Sequence, residues 1–155
     1  MNTSTTPGSM TATPIQTAAT VVAAVFLLVG VLGFIPGVTT GYDDMKFAGH
    51  ESEAKLLDIF QVSILHNIVH LLFGLVGLAL ARTWSGARAF LIGGGAVYGL
   101  LFVYGLLIDQ DSDANFVPLN DADNILHLVL ALGMIALGLA LGRNGTTATT
   151  TPRAH

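Results

Sequence analysis

Ile59-Phe60-Gln61-Val62-Ser63-Ile64-Leu65-His66-Asn67-Ile68-Val69-His70-Leu71 opens an apolar run that continues to Ala81. Its length decides the fold. About 20 predominantly apolar residues cross a bilayer as one helix, because a helix satisfies its own backbone polar groups in hydrocarbon. The cluster His66-Asn67-Ile68-Val69-His70 sits inside this run, where ionisable side chains are costly and point to a role. A weaker copy follows: Asn67-Ile68-Val69-His70-Leu71 is echoed by Asn124-Ile125-Leu126-His127-Leu128.

Three more apolar runs extend the reading to a four-span, all-α bundle, with spans at about 17–35, 58–81, 89–108 and 122–142. Span one stops at Pro36-Gly37, a helix-breaking pair. Residues 38–57 form a polar connection with no clear period. Residues 82–88 read as a tight turn, with Trp84 placed for the interface. Residues 1–16 and 144–155 are rich in Thr and small polar residues and are expected to be disordered tails flanking one membrane domain at 17–143. No basic region precedes span one, so it is not expected to be a cleaved signal peptide.

Composition agrees: 52% of the 155 residues are hydrophobic and only 10% charged, against about a quarter in soluble domains. The chain has no cysteine, which excludes disulfides, thiolate metal sites and cysteine nucleophiles. A net charge of −4 without a basic face argues against nucleic acid. Arg82, Arg88, Arg143 and Arg153 lie in the turn after span two and the C-terminal tail, whereas all ten carboxylates lie in the other two connections and their helix starts. By the positive-inside rule both termini are cytoplasmic, in a multi-pass protein of the cytoplasmic membrane.

Helical period places Ser63, His66, Asn67, His70, Gly74, Gly77 and Ala81 on one stripe of span two, and Asn124, His127, Ala131, Met134 and Gly138 on one stripe of span four. Small residues let membrane helices approach closely, and Gly95-x-x-x-Gly99 in span three offers a face for self-association or a membrane-protein partner. Counted back from Arg82 and Arg143 at about 1.5 Å per residue, His66 and His127 lie roughly 24 Å up and His70 roughly 18 Å. Depth therefore pairs His66 with His127, whereas similarity pairs His70 with His127. A true repeat would be a parallel duplication of a helical hairpin, although spans one and three share only a loose Gly and aliphatic pattern.

The expected polar core is His66, Asn67, His70, Asp123, Asn124 and His127. Three readings of it stand open. Imidazoles and amides bridge helices; or His66, His70 and His127 ligate haem b or a metal; or the site senses or moves protons, with Asp123 as the partner of His127. The first makes the protein a structural or accessory membrane component, with no cofactor and no catalytic site of its own. Asp109-Gln110-Asp111-Ser112-Asp113 is similar to the start of a calcium loop, but Ala114 and Asn120 stand where that loop wants Gly and Glu.

His66-Asn67-x-Val69-His70-Leu71-x-x-Gly74 and Asn115-Phe116-Val117-Pro118-x-Asn120-x-x-Asp123-Asn124-x-Leu126-His127 resemble the two signatures of a family of small bacterial membrane proteins, a domain of unknown function. Gly30-x-x-Gly33-Phe34-Ile35-Pro36 resembles it too. The resemblance covers residues 18–143. It implies four transmembrane helices in the cytoplasmic membrane, mostly of high-GC Gram-positive bacteria, and no established activity.

Overall fold

The computed structural model describes residues 12–145. Four helices carry the chain back and forth: α1 (Pro14–Leu32), α2 (Ile64–Leu80), α3 (Trp84–Leu107) and α4 (Asp121–Leu141). α1, α3 and α4 are long and apolar enough to cross a membrane, and α2 is a shorter apolar helix. Its 17 residues rise only about 25 Å. Most of the two expected tails lies outside the described residues, and α1 already starts at Pro14 rather than at 17.

Span two is shorter than expected because its first residues belong to a small sheet of two-residue strands, an addition to an otherwise helical fold. β1 (Thr39–Thr40), β2 (Lys55–Leu56) and β3 (Phe60–Gln61) form an antiparallel meander, with Leu56 opposite both Thr39 and Phe60. The β2–β3 hairpin turns through Leu57 and Asp58, both left-handed at φ 54° and 61°. That is the geometry of a turn normally built from Asn-Gly. Leu-Asp carries no such signal, so the apolar run reads through it. Left-handed backbone costs a residue with a side chain roughly 1–2 kcal/mol, and the Thr40 hydroxyl helps hold the turn by donating to the Asp58 carboxylate at 3.0 Å.

The meander is seated on the helix ends. The Thr39 hydroxyl donates to the Leu32 carbonyl at the close of α1, 3.1 Å away. At the start of α2, the Ile64 and Leu65 amides donate to the Lys46 and Phe47 carbonyls, and Ser63 Oγ accepts from the His66 amide. Amides that a helix start leaves without intrahelical partners are thus satisfied by the connection. Ala54, Leu56 and Val62 fill the space beneath. At the opposite, arginine-bearing end the connection is shorter than expected: Thr83 Oγ1 accepts from the Gly86 amide, so α3 begins at Trp84, which packs against the core. The Gln16 side-chain amide closes that end by donating to the Ala81 and Arg82 carbonyls.

α1 packs along α2 and α3 along α4, giving two antiparallel hairpins. Many of their buried positions correspond. Ile15, Ala19, Ala23 and Phe26 in α1 match Ala87, Leu91, Gly95 and Tyr98 in α3 at one constant spacing. At a second constant spacing, His66, Asn67, His70, Gly74 and Gly77 in α2 match Asp123, Asn124, His127, Ala131 and Met134 in α4. The repeat is parallel, and it is plainer in burial than in letters. It extends to the asparagines: a Cβ on Gly33 would collide with the Asn67 amide group, and one on Gly105 with that of Asn124.

The glycines named from sequence divide by what they face. A Cβ on Gly74 would lie 2.8 Å from the Ala23 carbonyl oxygen, and one on Gly77 2.7 Å from Ala23 Cβ. One on Gly95 would lie 2.9 Å from the Ala131 carbonyl oxygen, so Gly95 serves the α3–α4 contact within the chain. On Gly99 the nearest atom is Ala131 Cβ at 3.8 Å, an ordinary contact. Gly95→Ala is therefore expected to cost about 1–3 kcal/mol, whereas Gly99→Ala gains up to about 1 kcal/mol from helix propensity. Thermal unfolding in detergent checks this; equal shifts for the two would contradict the packing described.

Candidate functional site

The start of α2, the start of α4 and the middle of α3 meet beneath the meander. His66 and His70, one turn apart in α2, place their Nε2 atoms 3.0 Å from each other. His127 comes from α4, and all three imidazoles line one cavity of about 130 Å³ together with Ser63 and Tyr98. The rest of its wall is apolar: Leu65, Val69, Leu101, Phe116 and Val117. A second cavity of about 190 Å³ reaches the same imidazoles from the meander side, past Leu56, Phe60 and Asp123.

An aromatic floor closes the site toward the arginine end. Phe26 and Tyr98, matching residues of the two hairpins, stack at 5.3 Å and 24°. His70 meets Phe26 edge-on at 5.6 Å, and His127 meets Tyr98 edge-on at 5.2 Å. Phe73 packs against both rings of the stack and against Phe90 below it. The depth reading is revised by this arrangement. His70 and His127 are each the seventh residue of their helices, both about 9 Å in. Counting from the arginines misled because α4 is longer than α2, so Arg82 and Arg143 are not matching depth marks.

The polar residues do two different jobs. The Asn124 side-chain amide donates to the Gly105 carbonyl at 3.2 Å, tying α4 to α3. Asn67 packs on Gly33, the residue that caps α1, and points its amide at Met45 Sδ, 4.0 Å away in the first connection. The histidines tie no helices together. The one bond between them is internal to α2, and Nδ1 of His66, of His70 and of His127 finds no hydrogen-bond partner among the described residues, nor does Asn124 Oδ1. All three rings are more than nine-tenths buried. Such groups cost stability unless something else binds them.

Asp123 is placed in the α2 position of His66 by the repeat, but it does not act as the partner of His127. Its Oδ2 accepts from the Gln61 amide at 3.0 Å and the Asn120 amide at 3.1 Å, while Asn120 accepts in return from the Asp123 amide. It therefore caps α4 and pins β3 to it. Among the described residues no group of three or more His, Asp or Glu side chains is arranged to hold a metal ion. In the acidic connection, Asp109 Oδ1 accepts from the Asp111 amide and makes a local turn.

Sequence reasoning did not assign Tyr98, Phe116 or Val117 to the site. Tyr98 carried a signal, being a lone polar aromatic within the glycine-rich middle of span three. Phe116, in the family-like stretch Asn115-Phe116-Val117-Pro118, gave no sign of its place in the wall: its backbone is held by the Gly49 amide, and the Tyr104 hydroxyl bonds the nearby Ala114 carbonyl.

Apolar helices of spanning length, with buried imidazoles gathered at one end, define a helical membrane protein with a polar internal site. The chain belongs to the family described as Domain of unknown function (DUF4383), which it matches over residues 16–140. Neither a curated protein nor a solved structure matches it.

The double role of Asp123 is open to measurement. Asp123→Ala removes the acceptor of two backbone amides and is expected to cost about 1–3 kcal/mol, with faster hydrogen exchange at Gln61. Asp123→Asn keeps one acceptor oxygen and should retain most of the protection. Unchanged exchange at Gln61 in Asp123→Ala would contradict the assignment.

Proposed function

We propose that the protein is an accessory component of the cytoplasmic membrane, crossing it four times with both termini inside, and that its histidine cavity is a ligand-binding site rather than a brace. The four basic residues of the turn and C-terminal tail, set against ten carboxylates at the other end, support this orientation. The binding reading rests on one observation. Three buried imidazoles line a common cavity and make no side-chain bond to a neighbouring helix among the described residues, while Asn124 ties α4 to α3. A bracing imidazole would use its second nitrogen on a neighbouring helix.

Haem b or a metal held by His66, His70 and His127 has less support. Ligand pockets of ordinary size begin near 300 Å³, well above this cavity, and the Nε2 atoms of His66 and His70 are occupied by each other.

Stability separates binding from bracing. The double variant His66→Leu/His70→Leu removes both the mutual bond and two unpartnered nitrogens, so its unfolding free energy in detergent should stay within about 0.5 kcal/mol of the parent or rise. Asn124→Ala breaks a bond between helices and should cost at least about 1 kcal/mol. A histidine double variant as damaged as Asn124→Ala would return the site to a purely structural role.

One observation favours a second reading, proton exchange. An Nε2–Nε2 bond makes one imidazole donor and the other acceptor, and moving a proton along it swaps their roles. The titratable groups around the site are His66 and His70 from α2, His127 and Asp123 from α4, and Tyr98 from α3, while α1 contributes Phe26. The aromatic floor makes such exchange one-sided, a sensor rather than a conduit. Histidine nitrogen resonances recorded in bilayers between pH 5 and 8 should move, with those of His66 and His70 moving together; fixed resonances over that range would sink this reading.

A further inference from the structure

Asp123 is more than nine-tenths buried, yet only one of its carboxylate oxygens is used. Oδ2 accepts from the Gln61 and Asn120 amides, whereas Oδ1 accepts from no group among the described residues. Unlike the imidazole Nδ1 atoms and Asn124 Oδ1, this oxygen is unpartnered without being enclosed. The side chain lines the cavity of about 190 Å³ between α1 and α4 under the meander. His127, four residues on and so on the same face of α4, lines it too. No lysine or arginine among the described residues does. A buried carboxylate lacking a counter-charge is costly to the fold.

Size and chemistry narrow what would supply that charge. Much of the wall is apolar, with Val29 and Leu32 of α1, Leu126 and Leu130 of α4, and Leu56 and Phe60 of the meander. Leu57, 57% exposed in the hairpin turn, stands where the cavity meets the surface. A cavity of about 150 Å³ lined by such side chains holds benzene, so one of about 190 Å³ takes a single ring with a short substituent. A hard metal cation wants six or so oxygen ligands, and this wall offers one free carboxylate oxygen. A neutral hydrocarbon would leave that oxygen uncompensated. The ten carboxylates gathered at this end, against Lys46 and Lys55, concentrate cations there. An ammonium group on a small apolar body suits both the oxygen and the wall, and Phe60 and Tyr98 add the aromatic surface that cations favour.

We propose that this second cavity binds a small apolar monoamine, its ammonium group on Asp123 Oδ1 and its hydrocarbon between α1 and α4. The site goes beyond the ligand-binding reading above and does not rest on it, because its charge comes from Asp123 and not from the imidazoles.

Fluorine NMR of 4-fluorobenzylamine, with the full chain in phosphatidylcholine nanodiscs at neutral pH, reads binding as line broadening beyond that of empty nanodiscs. Excess benzylamine should reduce this broadening at least fivefold, and benzyl alcohol or toluene less than twofold. Asp123→Asn should reduce it at least fivefold while the Gln61 amide stays protected from exchange. Leu130→Trp fills the cavity without touching the carboxylate and should do the same; Leu126→Trp serves if that variant does not fold. Should Asp123→Asn lose the Gln61 protection, the need for charge is read from the alcohol competition and the location from the tryptophan variants. Broadening no greater than in empty nanodiscs, equal competition by benzyl alcohol, full binding by a Gln61-protected Asp123→Asn, or insensitivity to a folded tryptophan variant would overturn the proposal. Any of these with a His66→Leu/His70→Leu variant as stable as the parent removes the amine site alone and leaves the histidine cavity as a ligand site.

Discussion

Each of two asparagine amides lies on the bare backbone of a glycine of its hairpin partner, Asn67 on Gly33 at the cap of α1 and Asn124 on Gly105 within α3. Helices sliding by one residue would bring a side chain against the amide, so this contact sets the register of both hairpins. Everything nearer the centre follows. With the registers fixed, His70 and His127 come to the same level, and Phe26 and Tyr98 meet face to face between them. Lipid provides little hydrophobic drive for helices to associate, so close packing and a few polar contacts must do this work.

The same economy explains the split within the polar core. Asn124 spends its side-chain amide on a carbonyl of the neighbouring helix, and Asp123 spends a carboxylate oxygen on joining the meander to α4. The histidines, placed among them, do neither. Buried polar atoms without partners are a liability to stability, and proteins accept such liabilities chiefly at sites that serve something other than the fold. The meander fits this division: it supplies carbonyls and amides to three helix ends and leaves the imidazoles untouched.

Much of this was legible beforehand. The stripes Ser63 to Ala81 and Asn124 to Gly138 are the buried faces of α2 and α4, because a 3.6-residue period survives in any packed helix. A family of unknown function was legible too, and the chain matches one over residues 16–140. The meander was not. Its turn uses Leu57 and Asp58 in backbone conformations that neither residue advertises, and its strands are two residues long, too short for alternation to show. Nor could sequence tell that Asp123 faces Gln61 rather than His127, since that choice depends on where β3 lies. The repeat was half visible: letters match between spans two and four, but between spans one and three only burial matches, Ala23 with Gly95 and Phe26 with Tyr98.

The two hairpins are alike in frame but differ at most of the matched positions on their inner faces, and two of these exchanges shape the site. Where one has His66 the other has Asp123, and where one has Phe26 the other has Tyr98. Identical halves would have produced twin sites facing each other across an axis, with no way to tell one from the other. These two exchanges leave a single site with a front and a back: an imidazole pair on the first hairpin, and a carboxylate already committed to the meander on the second. The socket between them is therefore asymmetric, with chemically different walls on its two sides.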